Sequence, residues 1–409
     1  MSGVFESEPS WPDVPRKTET EGLASFEVID AKTIYDSPTF FNPAMGLNRD
    51  FSLIFMVLYA KKFSKKLRML DPLAGIGIRA IRAGLEITDY LSEVVINDYS
   101  ELTCQVSNYN IHKNGLTDLI TIYQREARAL MLDLSENNKK YHYVDIDPFG
   151  PLTPFIDDVW ATLSLSGLVS ITATDTTALC GVYPKACYRK YGGIPLNNHH
   201  THETGARILI SAIARSAARH EFGLVVFFTL TADHYFKIFI HAKKRRGYAT
   251  DTVMDIGYSY TCPECFEIRY DAGSRPDSME CCGIISDVAG PLWCGNLFSK
   301  EWTKNARNLL FENSEDIQDH NIKLQNSKRV EKLITEGIEG WDLKGYYTSD
   351  TISKKLRLGQ PSFAKVAERL EEQGYRFVRT WFTKNSFRSD APGTLVVKIF
   401  KDLVGEDKS

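Results

Sequence analysis

The chain has 409 residues, more than one ordinary hydrophobic core accommodates, so two or three domains are expected. With 43% hydrophobic and 25% charged residues, its composition is that of a globular protein and excludes collagen-like and disordered classes. The formal net charge of −3 excludes a general polycation, so any binding of nucleic acid must come from local basic patches.

The N-terminal region contains no feature of a secreted or membrane protein. The opening residues, MSGVFESEPSWPD, are acidic and contain proline, unlike a signal peptide or an Arg-rich transit peptide. No apolar run approaches the roughly 20 residues of a membrane span, and FSLIFMVLYA (51–60) has about half that length. We therefore expect a cytoplasmic protein with no membrane partner. The candidate basic patches are KKFSKKLR (61–68) and HAKKRRGY (241–248).

From Leu67 to Ala242, short apolar runs alternate with helix-length amphipathic segments, which predicts a parallel, doubly wound α/β sheet. Only ADH separates the last two runs, so they should form a hairpin with the seventh strand antiparallel to the sixth. This Rossmann-like, seven-stranded pattern is typical of class I S-adenosylmethionine methyltransferases. The predicted strands are LRMLD (67–71), EVVIND (93–98), LITIY (119–123), YHYVDID (141–147), GLVSITA (167–173), LVVFFTLT (224–231) and YFKIFIHA (235–242).

A glycine-containing loop, DPLAGIGIRAIRAG (71–84), follows the first strand and opens a helix. Gly75 and Gly77 allow a tight turn and a close approach to a ligand, while the start of the helix supplies free N–H groups. Asp98 ends the second strand, where a carboxylate can bind ribose hydroxyls. These features predict a site for a nucleotide-containing cofactor.

The same glycines also satisfy the G-x-G-x-x-A fingerprint of dehydrogenases, so the nature of the cofactor depends on the preceding acid. Asp71 lies just before the glycines, where it would repel a pyrophosphate but suits a sulfonium cofactor. The alternative is that Asp71 only caps the helix. The acid favours S-adenosylmethionine over a dinucleotide.

The fourth strand ends in DIDPFG, which places two acids and an aromatic residue at the carboxyl edge of the sheet. An exocyclic amine is a weak nucleophile because its lone pair is delocalised, so methylation needs an acceptor for its N–H and a surface that holds the base. DPFG resembles the (D/N/S)-P-P-(F/Y) motif that supplies both in amino-methyltransferases. The resemblance implies that Asp147, followed by Pro148, would accept the N–H and that Phe149 would stack on the base. Asp145 alternates to the other face of the strand and is predicted to support it. A structural turn is the alternative.

Near Tyr248 the alternation of strands and helices stops, so we predict a methyltransferase domain over 1–246, with an N-terminal arm over 1–66. A second, α+β domain over 247–409 would contain a Cys-rich element (261–294). Its clearest periodic segments are a helix in PSFAKVAERLEEQGYRF (361–377) and a strand in TLVVKIF (394–400).

Four cysteines in the Cys-rich element predict a structural zinc site. Cys262 and Cys265 have C-x-x-C spacing, and Cys281 and Cys282 follow as an adjacent pair. Adjacent cysteines can bind one metal only with a strained local backbone, so Cys294 is an alternative fourth ligand. Free or buried thiols without metal are the remaining alternative.

Several stretches together resemble the archaeal and eukaryotic tRNA (guanine(26)-N2)-dimethyltransferases, which make N2,N2-dimethylguanosine. They follow one another over most of the chain, and the second C-x-x-C-G often present in that family is replaced here by MECCG. The matching stretches are FFNPAMGLNRDFS (40–52), DPLAGIGIRAIRAG (71–84), DIDPFGPLTPFID (145–157), VSITATDTTALCG (169–181), DHY (233–235), AGPLWCG (289–295) and RTWFTKNSFRSDAP (379–392).

The resemblance implies methyl transfer from S-adenosylmethionine to the N2 amine of a tRNA guanine, expected at position 26. It also implies an N-terminal arm that closes over the cofactor and a C-terminal domain that binds the tRNA. Nothing in the sequence indicates an obligate protein partner. The cofactor contacts that the resemblance implies are Arg49, Arg79, Asp98, Glu126 and Ala127.

Two other functions stay open at the level of sequence. One is methylation of another amine, in a different RNA or DNA base or a protein amide. The other is a tRNA-binding homologue without catalysis, which the intact DPFG and GIG motifs disfavour. The segment RTWFTKNSFRSD (379–390) alternates aromatic and basic residues and is a candidate contact with tRNA.

Overall fold

The computed structural model describes residues 4–5, 9–33, 36–232, 234–275, 278–311 and 321–406. The chain forms two compact units, each assembled from separate stretches. The first comprises Met1–Ala173, Phe239–Lys244 and Lys304–Glu331, and the second comprises Thr174–Ile238, Arg245–Thr303 and Lys332–Ser409. The predicted domains, 1–246 and 247–409, are instead continuous stretches of sequence, and that division stays a prediction.

The first unit begins with an antiparallel hairpin of strands β1 (Arg16–Glu21) and β2 (Ala24–Ile29), which the sequence analysis did not predict. Helix α1 (Gly46–Phe63) follows and contains the apolar run FSLIFMVLYA, which is buried along its whole length. None of the described helices combines the length and the apolar composition that a membrane crossing needs.

The large sheet has the strand order β5-β4-β3-β6-β7-β9-β8. The pairs β3–β4, β3–β6, β4–β5 and β6–β7 are parallel. Strands β8 and β9 are neighbours joined by two residues, and so short a connection makes them antiparallel. The predicted α/β class with a seven-stranded sheet is confirmed. The strands are β3 (Leu67–Asp71), β4 (Leu91–Asp98), β5 (Ile120–Gln124), β6 (Tyr141–Ile146), β7 (Leu163–Ala173), β8 (Phe222–Ala232) and β9 (Tyr235–Lys244).

Helices follow most of these strands, as parallel connections require. They are α2 (Ile78–Glu86), α3 (Glu101–Lys113), α4 (Ala127–Glu136), α5 (Ile156–Thr162), α6 (Thr176–Leu179), α7 (Pro184–Tyr191) and α8 (Thr201–Arg219). Because β3, β4 and β6 are parallel neighbours, their last residues lie at one edge of the sheet. Asp71 and Asp98 end two of these strands, and Asp147 directly follows the third.

The second part of the chain adds smaller sheets, β11-β10-β14 and β15-β17-β16, and a short β12–β13 pair. This mixture of helices and antiparallel strands confirms the predicted α+β class. The elements are α9 (Arg246–Met254), β10 (Ile256–Thr261), β11 (Ile268–Ala272), β12 (Glu280–Cys281), β13 (Ile284–Ile285), β14 (Asp287–Trp293), α10 (Lys300–Phe311), α11 (Ser327–Glu339), β15 (Tyr347–Thr348), α12 (Ser349–Leu356), α13 (Phe363–Glu371), β16 (Val378–Thr380), β17 (Ser386–Arg388) and α14 (Gly393–Glu406).

The strand predicted over 394–400 is wrong, because these residues lie in helix α14. The run is rich in branched residues, which favour strands, but its apolar side chains also recur at helical spacing. Val396, Ile399, Phe400 and Leu403 are buried in one cluster with Val366 and Leu370 of α13. Packing of one helical face against α13 therefore overrides the local strand preference. The predicted helix in 361–377 is confirmed as α13.

A fully buried guanidinium connects the N-terminal hairpin to the two helices beside the glycine loop. Arg82 of α2 donates from Nε to Glu86 Oε1 at 2.8 Å and from Nη1 to Asp50 Oδ1 of α1 at 2.8 Å. Its Nη1 also lies 3.0 Å from Glu21 Oε1, at the end of β1. Removing this single cation would leave three buried carboxylates without their shared partner.

We expect Arg82→Ala to lower the free energy of unfolding by about 3–5 kcal/mol, since breaking a buried ion pair from one side has a cost of that size. Thermal and urea unfolding would measure the loss. The control is Arg128→Ala, because Arg128 pairs with Asp158 while 56% of its own side chain is exposed. That variant should leave the free energy of unfolding close to the wild-type value, because an exposed ion pair contributes little to stability. Equal effects of the two substitutions would contradict the assignment.

Candidate active site

A cavity of about 660 Å³ opens in the first unit where the strand ends meet. It is also lined by Phe40, Phe41 and Asn42, which precede α1, so the N-terminal arm forms one of its walls. Gly77 is in the same loop without lining the cavity. The other predicted cofactor and catalytic residues all line it: Arg49, Asp71, Gly75, Arg79, Asp98, Glu126, Ala127, Asp147, Pro148 and Phe149.

The loop between β3 and α2 requires glycine at both of its predicted positions. Gly75 and Gly77 have φ values of 55° and 77°, in the left-handed region that favours glycine. A Cβ atom on Gly75 would lie 3.1 Å from the carbonyl oxygen of Phe40, so this residue also allows the arm to approach closely. Gly77 is the N-cap of α2, which directs free N–H groups towards the cavity wall.

Arg79 of α2 is the centre of the polar contacts in the cavity. Its Nη2 donates to Asp147 Oδ2 at 2.5 Å, and its Nη1 donates to Asn48 Oδ1 at 2.9 Å and Ser52 Oγ at 2.7 Å. Nη1 also lies 3.5 Å from Asp145 Oδ2. Arg79 therefore binds two acids of the β6 strand end and two polar side chains of α1.

The third acid at Arg79 is Asp71, whose Oδ2 lies 3.4 Å from Arg79 Nε. This contact is an ion pair without hydrogen-bond geometry, because Nε is buried and has no hydrogen-bond partner. Burial and the neighbouring Asp145 raise the pKa of Asp71 to about 7. Burial opposes the charge of Arg79, but Asp145 and Asp147 raise its pKa, so it stays charged.

The charges in this group do not balance. One guanidinium, Arg79, faces the three carboxyl groups of Asp71, Asp145 and Asp147. Like charges at such distances disfavour full ionisation, which agrees with the raised pKa of Asp71. A cationic ligand in the cavity would relieve this repulsion, whereas a pyrophosphate would increase it.

Asn97, next to Asp98, holds the loops after β3 and β5 in place. Its Nδ2 donates to the carbonyl oxygens of Pro72 and Arg125, both at 3.0 Å, and its Oδ1 accepts from the Arg125 N–H at 3.0 Å. Burial raises the pKa of the adjacent Asp98, while backbone N–H groups oppose the shift. At the β5 end, Glu126 caps α4 by accepting from Ala129 N at 2.8 Å.

The carboxylate of Asp147 has one engaged and one open oxygen. Oδ2 accepts from Arg79 and, at 3.4 Å, from Asn48, whereas Oδ1 has no hydrogen-bond partner among the described residues. The side chain is 18% exposed and lines the cavity. Asp147 can thus accept a proton donor while its position stays fixed by Arg79.

Two exposed aromatic rings lie beside this carboxylate. Phe149 is 74% exposed, and Phe40 is 40% exposed. Their ring centroids are 4.6 Å apart with an interplanar angle of 77°, an edge-to-face pair. Sequence reasoning singled out Phe149 but not Phe40, whose only signal was the aromatic doublet of FFNP. An apolar pair that is exposed to solvent offers a surface on which a planar ring can stack.

Arg49 lines the cavity, and its hydrogen bonds go to Glu21 of the hairpin and to the backbone of Asn42. Its Nε and Nη2 bind the two carboxylate oxygens of Glu21 at 2.6 and 2.5 Å, and Nη2 donates to the Asn42 carbonyl at 3.1 Å. Burial alone would raise the pKa of Glu21, but Arg49 and Arg82 lower it. Arg49 thus connects the hairpin to the segment of 40–42 that lines the cavity.

In the second unit, the Cys-rich element gathers the four predicted zinc ligands. The Sγ atoms of Cys262, Cys265, Cys281 and Cys282 lie within 4.8 Å of one another. The Sγ atom of Cys281 is 3.7 Å from that of Cys265 and 3.9 Å from that of Cys282. Bonds of about 2.3 Å at tetrahedral angles separate ligand sulfurs by about 3.8 Å, so this donor set fits a zinc ion.

The adjacent pair reaches one centre through an unusual backbone. Cys282 has a φ of 55°, a left-handed conformation uncommon for a residue with a side chain, and Gly283 follows with a φ of 73°. Cys294 is not part of the group, and its thiol points to the Leu292 carbonyl at 3.9 Å. Four thiolates would leave no open coordination position, so the zinc would be structural.

The parallel sheet with its antiparallel last strand, the glycine loop after β3 and the acids at the strand ends define a Rossmann-like methyltransferase of class I. The family model of the N2,N2-dimethylguanosine tRNA methyltransferases matches residues 22–401 of the chain. The chain therefore belongs to this family.

Individual relatives match over nearly their whole length. The tRNA (guanine(26)-N(2))-dimethyltransferase of Methanosphaera stadtmanae is 33% identical over 95% of this chain and 98% of its own. The tRNA (guanine(26)-N(2)/guanine(27)-N(2))-dimethyltransferase of Aquifex aeolicus is 32% identical over 94% and 95%. The structure of Trm1 from Pyrococcus horikoshii with S-adenosyl-L-methionine is similar with a TM-score of 0.80, at 28% identity over 94% of this chain and 99% of that one.

We expect elemental analysis of the purified protein to find one zinc ion per chain. Cys262→Ser should remove it and lower the thermal unfolding temperature, because the ion links separate segments of the Cys-rich element. The matched control is Cys294→Ser, which should keep the zinc. Retained zinc in the Cys262 variant, or its loss in the Cys294 variant, would contradict this ligand set.

Proposed function

We propose that the protein transfers methyl groups from S-adenosylmethionine to the exocyclic N2 of a guanine in tRNA, at position 26, giving N2-methyl- and N2,N2-dimethylguanosine. The observation that carries this proposal is the single cavity that contains the glycine loop, Asp98 and the DPF segment of 147–149. Membership of the family and the near-complete alignment with its named members support the same activity.

The cavity suits the cofactor in both charge and shape. When bound, S-adenosylmethionine supplies a methyl group attached to a sulfonium cation. Asp98 accepts hydrogen bonds from the ribose hydroxyls, and Glu126 and Ala127 contact the adenine at the end of β5. Asp71 attracts the ammonium group of the methionine end, directly or through water. Gly75 lets the backbone approach the cofactor closely, and Gly77 allows the turn into α2. Arg49 holds Asn42 beside the cavity.

Asp147 assists the guanine amine. Its open Oδ1 would accept one N–H of the amine, which would return electron density to the nitrogen and orient its lone pair for in-line attack on the methyl group. The N–C bond would form as the S–C bond of the sulfonium breaks, with S-adenosylhomocysteine as the leaving group. The nitrogen would then lose a proton to Asp147, the carboxylate that already accepts its N–H. Arg79 positions this carboxylate through Oδ2, while Asp145 holds Arg79 from the buried side.

The guanine must leave its stacked position before its amine can reach the cavity. Phe149 and Phe40 offer an exposed aromatic surface on which the displaced base stacks, and Pro148 fixes the backbone between Phe149 and the carboxylate. Residues 247–409 form the domain that binds the body of the tRNA, by shape and phosphate contacts. Because tRNA is a cytoplasmic substrate, we place the protein in the cytoplasm.

An Asp147→Ala variant should lose methyl transfer by a factor of about 10²–10⁴, while its affinity for S-adenosylmethionine stays near that of the wild type. Nucleoside mass spectrometry of treated tRNA and calorimetry of cofactor binding give the two readings. Asp158→Asn, a change at a surface acid paired with Arg128, is the control and should keep full activity. Turnover retained in the Asp147 variant would refute the catalytic role. Methylation of DNA or protein in place of tRNA would refute the substrate assignment.

The raised pKa of Asp71 predicts that cofactor affinity depends on pH. Asp71 ionises as the pH rises through about 7, and the resulting negative charge attracts the cationic cofactor. We expect the affinity for S-adenosylmethionine to increase about tenfold between pH 6 and pH 8. Asp71→Asn should bind more weakly at pH 8 and show a flat profile. An affinity that falls as the pH rises, or an unchanged profile in the variant, would contradict the role of Asp71.

A further inference from the structure

An arginine in the second unit contacts two aromatic rings and has no acidic partner among the described residues. The guanidinium carbon of Arg379, on β16, lies 4.2 Å from the ring centroid of Phe363 and 5.5 Å from that of Trp381. The Arg379 side chain is exposed, and no carboxylate pairs with it in the part of the chain that the structure describes. Partial burial lowers the pKa of Arg379.

A second cation shares the same tryptophan. The ammonium group of Lys332, on α11, lies 4.8 Å from the Trp381 centroid, and its side chain is exposed. Like Arg379, it has no acidic partner within the described residues. We call Arg379, Lys332, Trp381 and Phe363 the cation–aromatic patch.

A neighbouring arginine shows what the patch lacks. Arg376 binds Asp342 through Nη1 and Nη2 at 2.9 and 3.2 Å, and it binds Asp390 through Nε at 3.1 Å. These two carboxylates satisfy its charge and raise its pKa. Of these two neighbouring arginines, Arg376 is therefore neutralised by carboxylates within the protein, whereas the charge of Arg379 is not neutralised by any described residue.

Aromatic faces orient a cation without neutralising it. A guanidinium that stacks on a ring keeps its N–H edge free, and this planar edge matches the geometry of a phosphate group. Holding the side chain in place also reduces the conformational entropy lost on binding. Two such cations around one indole ring form a small site for a polyanion on a chain whose overall charge is negative.

We propose that the cation–aromatic patch binds the sugar–phosphate backbone of tRNA, with Arg379 and Lys332 each contacting a phosphate. The inference rests on the proposed function, because it takes tRNA as the macromolecule that the protein binds. It adds a specific anchoring surface, which the chemistry of methyl transfer itself does not require. Trp381 and Phe363 position the cations and make no base-specific contact, so the patch contributes affinity without sequence preference.

The test compares the two arginines in the full-length protein. Binding of fluorescently labelled tRNA is measured by anisotropy at several salt concentrations, for the wild type and for Arg379→Ala, Lys332→Ala and Arg376→Ala. Arg379→Ala should weaken binding roughly tenfold and reduce the slope of log affinity against log salt by about one. Lys332→Ala should reduce the slope similarly, and Arg376→Ala should leave it unchanged.

Two further variants separate charge from positioning. Arg379→Lys keeps the charge but loses the planar edge, so it should recover the salt slope and only part of the affinity. Trp381→Leu keeps both cations and should weaken binding less than removal of Arg379. Thermal unfolding of each variant checks that the fold is intact. A salt slope that is unchanged in Arg379→Ala, or reduced equally in Arg376→Ala, would overturn the proposal.

Two further measurements distinguish a failure of this proposal from a failure of the proposed function. They are the methylation rate at saturating tRNA and the affinity for the cofactor. Both should equal the wild-type values in Arg379→Ala, with only the KM for tRNA raised. A wild-type protein that binds tRNA but does not methylate it would refute the proposed function, while the salt slopes would still decide the patch. If Arg379→Ala weakened binding to polyglutamate but not to tRNA, the patch would serve an acidic protein partner, and the proposal would be wrong.

Discussion

The contact between Arg79 and the acids at the ends of β3 and β6 determines how the active site is organised. A single buried guanidinium, held by Asn48 and Ser52 of α1, keeps Asp147 in place and lies beside Asp71. Burying one cation with several carboxylates is costly unless each partner is well placed. Here the excess of negative charge has a use, because the ligand itself is a cation. The same imbalance that lowers the stability of the empty site favours its occupation.

The acids at this sheet edge have different environments although they share a residue type. Asp145 is fully buried and accepts from the Tyr143 hydroxyl at 2.5 Å, so it supports the site from within. Asp147 lies next to the open side of the cavity and keeps one oxygen free. The two residues are both aspartates, so it is burial that separates the supporting acid from the one that we propose contacts the substrate.

Much of this arrangement follows from local sequence patterns, and the remainder depends on contacts between distant segments. Strand–helix alternation predicted the sheet, and the positions of Asp71, Asp98 and Asp147 at strand ends predicted that they line one cavity. By contrast, Asn48 and Ser52 lie in the family-like stretch 40–52, but nothing in that stretch indicated that they bind Arg79, and only the fold brings them together. The strand prediction for 394–400 was wrong for a related reason. Its branched residues are typical of a strand, but packing against α13 makes the segment a helix.

Glu21, at the end of β1, binds both Arg49 beside the cavity and Arg82 in the core. The hairpin is therefore part of the folded catalytic unit, although it precedes every residue of the glycine loop. A shortened protein that began after β2 would retain all the motifs by which the family is identified. It would nevertheless have two arginines without this carboxylate, so the smallest functional fragment should begin ahead of the hairpin.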